Sequence, residues 1–307
     1  MSAACKLGAR RRALETRADI LYAARAFFLS RGYLEVETPN RIPAPLPESH
    51  IDAIPSGSWW LHPSPELCMK RMLGAGYDRI FQIAKCWRDR ERGPLHLPEF
   101  TLLEWYRAGI DYRQLMEECE DLLLYVSVAL GAGDGISCRG LPIDLSKPWE
   151  RITVREAFER YGSVALEQAL AEDRFEEVLA LEIEPRLGIS KPVFLCDYPL
   201  AFGSLARTKP GDPRTAERFE IYIGGIELAN GFSELTDAGE QRRRFEKENE
   251  TRARRGRPPY PMPETFLAAL SRMPDAAGIA LGVDRLVMLL AGASSIDEVV
   301  AFTPEEI

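Results

Sequence analysis

The chain has few cysteines, and no two of them are close. Cys5, Cys68, Cys86, Cys119, Cys138 and Cys196 never approach the CxxC spacing of a zinc knuckle or redox pair. Reduced thiols are therefore expected, rather than a metal site or a disulfide framework. No stretch of about 20 apolar residues offers a membrane span. No apolar core stands behind the small, basic residues 1–12, as a signal peptide would require. Gly/Ser linkers and internal repeats are missing too, so a cytoplasmic protein folded as one domain over residues 1–307 is expected. Positive charge is also in deficit: 39 Lys+Arg against 47 Asp+Glu leave a net −8. Such a balance argues against a protein that coats nucleic acid non-specifically, because that binding needs many cations to displace counterions. What remains, 46% apolar and 28% charged residues over 307 positions, is ordinary globular composition. A chain of this length hides roughly 75% of its unfolded surface and needs no staples.

In residues 11–29 the apolar positions Leu14, Ala18, Leu21, Tyr22 and Phe28, with the stem of Arg25, recur at three and four. They predict a long amphipathic helix ended by Gly32. Alternation over residues 33–38 predicts a strand, and Pro39, Pro43, Pro45 and Pro47 make the next stretch an irregular loop. Residues 79–86 and 100–106 read as strands joined by a long charged loop. A helix is expected over 112–130, broken by the run GAGDG at 131–135. Residues 136–187 read as a short strand followed by helices around 154–161 and 174–183, with no chemistry to assign. Strands are expected at 193–197, 217–223 and 225–232, then a charged helix at 237–255. Residues 278–290 read as a strand running into a helix. The architecture is α+β, a mixed and largely antiparallel sheet with flanking helices.

Three clusters have residues suited to chemistry. Arg88, Asp89, Arg90, Glu91 and Arg92, with His96 and Glu99 returning, suit a polyanion such as a triphosphate, because guanidinium forks match phosphate oxygens. The same residues also fit a solvated hairpin tip. Glu220, Glu227 and Glu234, with Asn230 between the last two, could gather carboxylates for Mg²⁺ or an ammonium group, or alternate outward into water. Glu227 and Asn230 sit in apolar, glycine-rich sequence, where uncompensated charge is costly. Gly278 to Gly282 lead into Arg285, which lets backbone approach a flat ligand while a guanidinium stacks on it; a packed core strand is the plainer reading.

Together these segments resemble the three signature motifs of class II aminoacyl-tRNA synthetases. The long helix with GYLEVETP resembles motif 1, CWRDRERGPLHLPEFTLLEWY motif 2, and GIALGVDRLVMLL motif 3. Within the class, FEIYIGGIELANGFSELTD and HLPEFTLLEWY are similar to lysyl-tRNA synthetase, the resemblance running from about residue 11 to 302. Motif 1 begins almost at the start, so no anticodon-reading OB domain is expected. This shortened core resembles the elongation factor P lysine ligase family, as do the helix QRRRFEKENETRARRGRP and Ala280 where a synthetase has glycine.

The resemblance implies activation of a lysine, preferentially (R)-β-lysine, by ATP with Mg²⁺. The acyl group then passes to a lysine ε-amine of elongation factor P, with tRNA not expected as acceptor. It implies Arg88 at the α-phosphate, Arg285 over adenine and γ-phosphate, Phe100 on the opposite adenine face, and His96 at the pyrophosphate end. Asp89, Arg90, Leu97, Glu227, Leu228 and Gly282 complete the implied ATP contacts, and Glu220 with Glu227 would hold Mg²⁺. Ser64 and Glu66 would take the amine near the carboxyl group, while Glu104, Tyr106 and Glu234 take the terminal ammonium. Asn230 would orient the carboxylate. Ala280, lining that pocket, would disfavour an α-amine relative to a β-amine. Two positions depart from the family pattern: Arg90 stands where motif 2 has glutamate, with Glu91 one place later, and Leu97 replaces an asparagine. The competing readings are a minimal lysyl-tRNA synthetase-like enzyme and an inactive regulatory paralogue, for which Arg90 is the best support. Motif 1 implies a homodimer. The charged helix is either solvated or a docking surface.

Overall fold

The computed structural model describes residues 3–138 and 140–307; Met1, Ser2 and Arg139 lie outside it, as does the side chain of Cys5. The chain opens with α1 (Ala3–Ser30), β1 (Leu34–Glu35), β2 (Arg41–Ile42), β3 (Pro55–Ser56), β4 (Trp59–Leu61) and α2 (Glu66–Leu73). There follow β5 (Arg79–Trp87), β6 (Glu99–Ala108), α3 (Tyr112–Ala129), β7 (Gly135–Cys138), β8 (Leu141–Asp144) and β9 (Glu150–Thr153). Next come α4 (Val154–Tyr161), α5 (Leu166–Ala171), α6 (Phe175–Val178), β10 (Val193–Pro199), β11 (Thr215–Ile223) and β12 (Ile226–Ser233). The chain ends with α7 (Ala238–Arg254), α8 (Glu264–Leu270), β13 (Ala276–Gly282) and α9 (Val283–Ala291).

One eight-stranded sheet, in the order β1-β5-β6-β13-β12-β11-β10-β9, organises the molecule. Its inner pairs are antiparallel, and only the outermost pairs, β1 with β5 and β9 with β10, are parallel. Strand alternation separates its two faces. On β6 and β13, Leu103, Trp105, Ala277, Ile279 and Leu281 enter the main core against α1, α3 and α9. Tyr106 packs with α2, α7 and α8 on the other face, which these helices cover only in part. The uncovered part is where the candidate site lies.

The strand expected over residues 33–38 pairs only at Leu34–Glu35. The expected face of α1 is also corrected: Ile20, Ala23, Ala24, Phe27 and Phe28 are buried, whereas Ala18 and Tyr22 face outward. Stacking of Phe28 on Phe81 at 4.8 Å sets that rotation, a tertiary contact that local spacing does not contain. Gly32, at φ +75°, ends the helix as expected. The middle segment forms a second core, in which Phe158, Phe175 and Val178 pack on Leu195 and Tyr222. Among the described residues, no helix is long and apolar enough to cross a membrane.

Candidate active site

A cavity of about 510 Å³ opens on the half-covered face of the sheet. Its floor comes from strand register. Gly278 pairs with Tyr106 and Phe232, and Ala280 with Glu104 and Asn230, so these residues share one face. On β12 the pairing slips between Ile221 and Tyr222: Ala229 meets Ile221, while Glu227 meets Tyr222. Leu228 is thus the extra residue of a bulge, which brings Glu227 to the face already holding Asn230, Phe232 and Glu234. Gly278 is required here. A Cβ would lie 2.2 Å from Cδ1 of Tyr106 and 2.6 Å from Oε1 of Glu234.

At one end, Ser64 precedes α2 and its hydroxyl donates to Oε1 of Glu104 at 2.6 Å while accepting from the Glu66 amide at 3.0 Å. Tyr106 donates to the other Glu104 oxygen at 2.8 Å. Glu104, expected to line the pocket, instead lies wholly buried beneath the cavity behind Ser64 and Tyr106. Glu234 is equally buried and sits under the floor. Its Oε2 lies 2.6 Å from the Lys70 ammonium, and its Oε1 accepts no hydrogen bond among the described residues. Lys70 also meets Oε1 of Glu66 at 2.6 Å, one helical turn away, with the Phe232 ring 4.7 Å distant. Burial alone would lower the Lys70 pKa, but the carboxylates of Glu234 and Glu66 raise it. Burial, reinforced by Glu66, pushes Glu104 up to about 7. Burial likewise pushes Glu234 up to about 8, against the pull of Lys70. Three carboxyl groups around one internal ammonium form an environment suited to further ammonium groups.

At the other end, Arg88 leaves β5 with its buried Nε unpartnered among the described residues and its guanidinium 4.9 Å over the Phe100 ring. An orphaned donor on a cation suits an anionic oxygen. Arg285, at the start of α9, donates to the Glu227 carbonyl at 2.5 Å and meets His96 Nε2 at 2.7 Å. Partial enclosure and the neighbouring Arg285 hold His96 below its ordinary pKa, leaving a neutral acceptor. Leu97, Leu228 and Gly282 line the cavity as well. Asp284 accepts from the Thr101 amide at 2.7 Å and pairs with Arg17, tying α1, β6 and α9 together beneath this end.

Asp89 and Arg90 do not line the cavity. Arg90 takes the left-handed region at φ +63° and turns its side chain outward onto Asp89, 3.2 Å away. That conformation costs roughly 1–2 kcal/mol for a non-glycine residue. It absorbs one position of the loop, so that Glu91 lines the cavity instead and lies 3.7 Å from Arg88.

Glu220 is buried and does not reach the cavity surface; it accepts from Arg218 at 2.6 Å and from the hydroxyls of Tyr198 and Tyr222 at 2.6 and 2.7 Å. Burial, then Glu227, raises its pKa. Glu184 beside them is pushed up to about 7 by burial and by the same two carboxylates. Among the described residues no three donor side chains close around a point as a metal cage. The mutual repulsion of these carboxylates nonetheless fits a hard cation held by one or two of them and completed by phosphate oxygens. Arg218 also donates to Oδ1 of Asn230 at 3.2 Å, which leaves the Asn230 amide N–H groups for a ligand carboxylate.

Five contributors were absent from the sequence expectations. Lys70 carried a signal, four residues after Glu66 on one helix face. Arg218, two before Glu220 on a strand, carried another. Glu48 on the proline-rich loop, and Glu176 and Glu184 in the middle segment, reach the site only through tertiary folding. His50 and Glu176 meet at 3.5 Å across the mouth.

One cavity on a mainly antiparallel sheet thus has buried carboxylates about one end and the guanidiniums of Arg88 and Arg285 at the other. The family model of class II tRNA synthetases (D, K and N) matches residues 5–306, and the chain belongs to that family. Over 306 residues and 94% of each chain, it is 41% identical to the elongation factor P--(R)-beta-lysine ligases of Pectobacterium carotovorum and Pectobacterium atrosepticum. It is 40% identical over 320 residues to the ligase of that name from Klebsiella pneumoniae, covering 94% of this chain and 93% of the relative. The branch formed by these ligases is the one in which the chain falls.

Proposed function

We propose that the chain activates (R)-β-lysine, or lysine, with ATP and transfers the acyl group to a lysine ε-amine of elongation factor P. The observation carrying this reading is that one cavity joins an ammonium receptor to a phosphate-gripping end. Glu66 and Tyr106, which line the cavity, would accept the two amines, Glu234 and Glu104 would act on them from beneath the floor with Lys70 and Ser64 holding the arrangement, and Asn230 would orient the carboxylate. An uncharged analogue would leave buried carboxylates unpaired, which is the source of selectivity. Carboxylate attack on the α-phosphorus builds charge on oxygens that Arg88 is placed to grip, while Arg285 holds the nucleotide against β12. Of the two carboxylates expected to hold Mg²⁺, Glu227 lines the cavity and would be the ligand, while Glu220, its oxygens taken by Arg218, Tyr198 and Tyr222, would add negative charge from behind. An ion held there would supply charge neutralisation for the leaving pyrophosphate. Ala280, on the floor beside Asn230, adds a methyl that favours the β-amine. Asp89 and Arg90 act only by shaping the loop that delivers Glu91. Since Glu91 reaches the cavity, Arg90 no longer argues for an inactive paralogue. The molecule works as a single domain, in the cytoplasm, as a homodimer.

The test supplies ATP, Mg²⁺ and labelled lysine or (R)-β-lysine to the purified protein, with elongation factor P and bulk tRNA present together. Label is expected on the factor, more strongly from the β-isomer. Label on tRNA would make the protein a minimal synthetase, and absence of both label and ATP turnover would revive the regulatory paralogue.

A further inference from the structure

Residues 43–54, between β2 and β3, form one wall of the cavity mouth and are held from behind by α7. Arg252 donates to the carbonyls of Glu48 at 2.9 Å and Ile51 at 3.1 Å, and to Oδ1 of Asp52 at 2.9 Å. The Ser49 amide donates to Glu248 at 2.9 Å, and the Asp52 carbonyl accepts from the Asp89 amide at 2.7 Å. Pinned in this way, the loop presents the Glu48 side chain to the cavity, where Ser204 donates to its Oε1 at 3.2 Å. Among the described residues, Ser204 is its one hydrogen-bond donor.

Glu48 is not among the groups assigned above to amino-acid activation. The charges facing it are Glu66 from α2, Arg88 from the end of β5 and Arg218 from β11. Burial, then Glu66, pushes its carboxyl up to about 7, with Arg88, Ser204 and Arg218 pulling the other way. It lines the same cavity as Glu66 of the amine seat and Arg88 of the phosphate grip. The acyl carbon of an aminoacyl-adenylate lies between its amine and its phosphate, so the carbon under attack is bounded by those same two groups.

Resting on the ligase reading above, we infer that Glu48 is the base of the transfer half-reaction, taking a proton from the acceptor lysine as its nitrogen attacks the acyl carbon. An ammonium has no lone pair, so attack begins with loss of one proton to the Glu48 carboxylate. The C–N bond forms while the C–O bond to the adenylate phosphate breaks, and that electron pair leaves on AMP. The second nitrogen proton goes to the departing phosphate as the amide forms. A carboxylate that titrates near neutrality is a better base than an ordinary one and still returns its proton to water at neutral pH. This requirement belongs to an amine acceptor and explains an acidic residue at the mouth beyond those that bind the amino acid.

The experiment compares Glu48→Gln and Glu48→Asp with the parent protein in three assays: ATP–pyrophosphate exchange, hydroxamate formation with hydroxylamine, and acyl transfer to elongation factor P. Hydroxylamine is uncharged at neutral pH and needs no base. Glu48→Gln is expected to lower transfer roughly 10²-fold more than exchange, with hydroxamate formation following exchange. In the parent protein, transfer should climb as pH rises through about 7 and then flatten. In Glu48→Gln it should keep climbing into the alkaline range, as free amine accumulates. Glu48→Asp should recover the flattened profile in part. Equal losses in exchange and transfer, or transfer at the parent level, would overturn the assignment. Failure of the parent protein itself to label the factor while exchange persists would sink the ligase reading, and Glu48's role with it.

Discussion

At the residue scale, the amino-acid end is set by burial working against charge. Glu104 and Glu234, at about 7 and about 8, hold protons in the empty folded protein that the unfolded chain, with ordinary carboxyls, has released. The folded state therefore binds more protons than the unfolded state between the ordinary carboxylate range and about 8. Through that window these two groups make the empty protein less stable as pH rises. A diammonium ligand reverses the preference, because it pairs with the ionised carboxylates and expels their protons. Lysine or (R)-β-lysine should accordingly bind more tightly as pH rises toward 8, by up to about tenfold per pH unit for each proton released. Titration calorimetry in buffers of different ionisation enthalpy should show protons leaving on binding. The ligand-induced rise in melting temperature should grow from mildly acidic to mildly alkaline pH. Proton-neutral binding would show that Lys70 already keeps both carboxylates ionised.

At the scale of elements, α7 shows how a charged helix divides its labour. Its inner side is structural: Arg252, 1% exposed, is packed 3.9 Å from the Tyr260 ring and fastened to the mouth loop. Its last turn is different, since Arg254 and Arg255 are exposed and Arg255 lies 3.4 Å from His50 at the mouth. Replacing both by Glu should weaken acyl transfer to elongation factor P while leaving pyrophosphate exchange alone, provided this end docks the acceptor. Arg252→Ala should instead destabilise the whole protein in denaturant titrations, by roughly 1–3 kcal/mol for each buried loop carbonyl left without its donor, while Asp52 keeps Arg257 at 3.2 Å. Equal loss of both half-reactions in the double variant would reject docking.

The same helix marks where sequence reasoning stopped. Arg88, Tyr106 and Asn230 line one cavity from strands or a strand end, whose alternation is local, whereas His96 lines it from the loop before β6 and Arg285 from the first turn of α9. Glu48 depends on a loop that Arg252 fixes from about 200 residues away, and no spacing rule encodes that. Glu91 and Arg90 exchange places through one left-handed residue, and Glu227 is turned inward by one bulge at Leu228. Each shifts a register by a single position, the quantity to which pattern reading is most sensitive.

On the scale of the whole molecule, α1 leaves apolar surface that the monomer does not cover. Tyr22 and Leu29 are 77% and 55% exposed, Leu34 beyond the helix 50%, and Val128 on α3 57%. The facing of Phe27 and Tyr125 at 5.6 Å shows that α1 and α3 adjoin along this side. Scattered apolar residues are ordinary on a surface, but a stretch shared by adjoining elements is what a twofold mate would bury. The protein is expected to sediment as a dimer of 34.5 kDa chains at micromolar concentration. Tyr22→Asp with Leu29→Asp should give monomers. Because Arg17 on the same helix pairs with Asp284 beneath the nucleotide end, a loosened α1 should also weaken ATP binding, so that exchange activity falls with the dimer fraction. A parent protein that sediments as a monomer would reject the dimer, as would a double variant that remains paired. Monomers with full exchange activity would show that Arg17 holds α9 without help from a second copy.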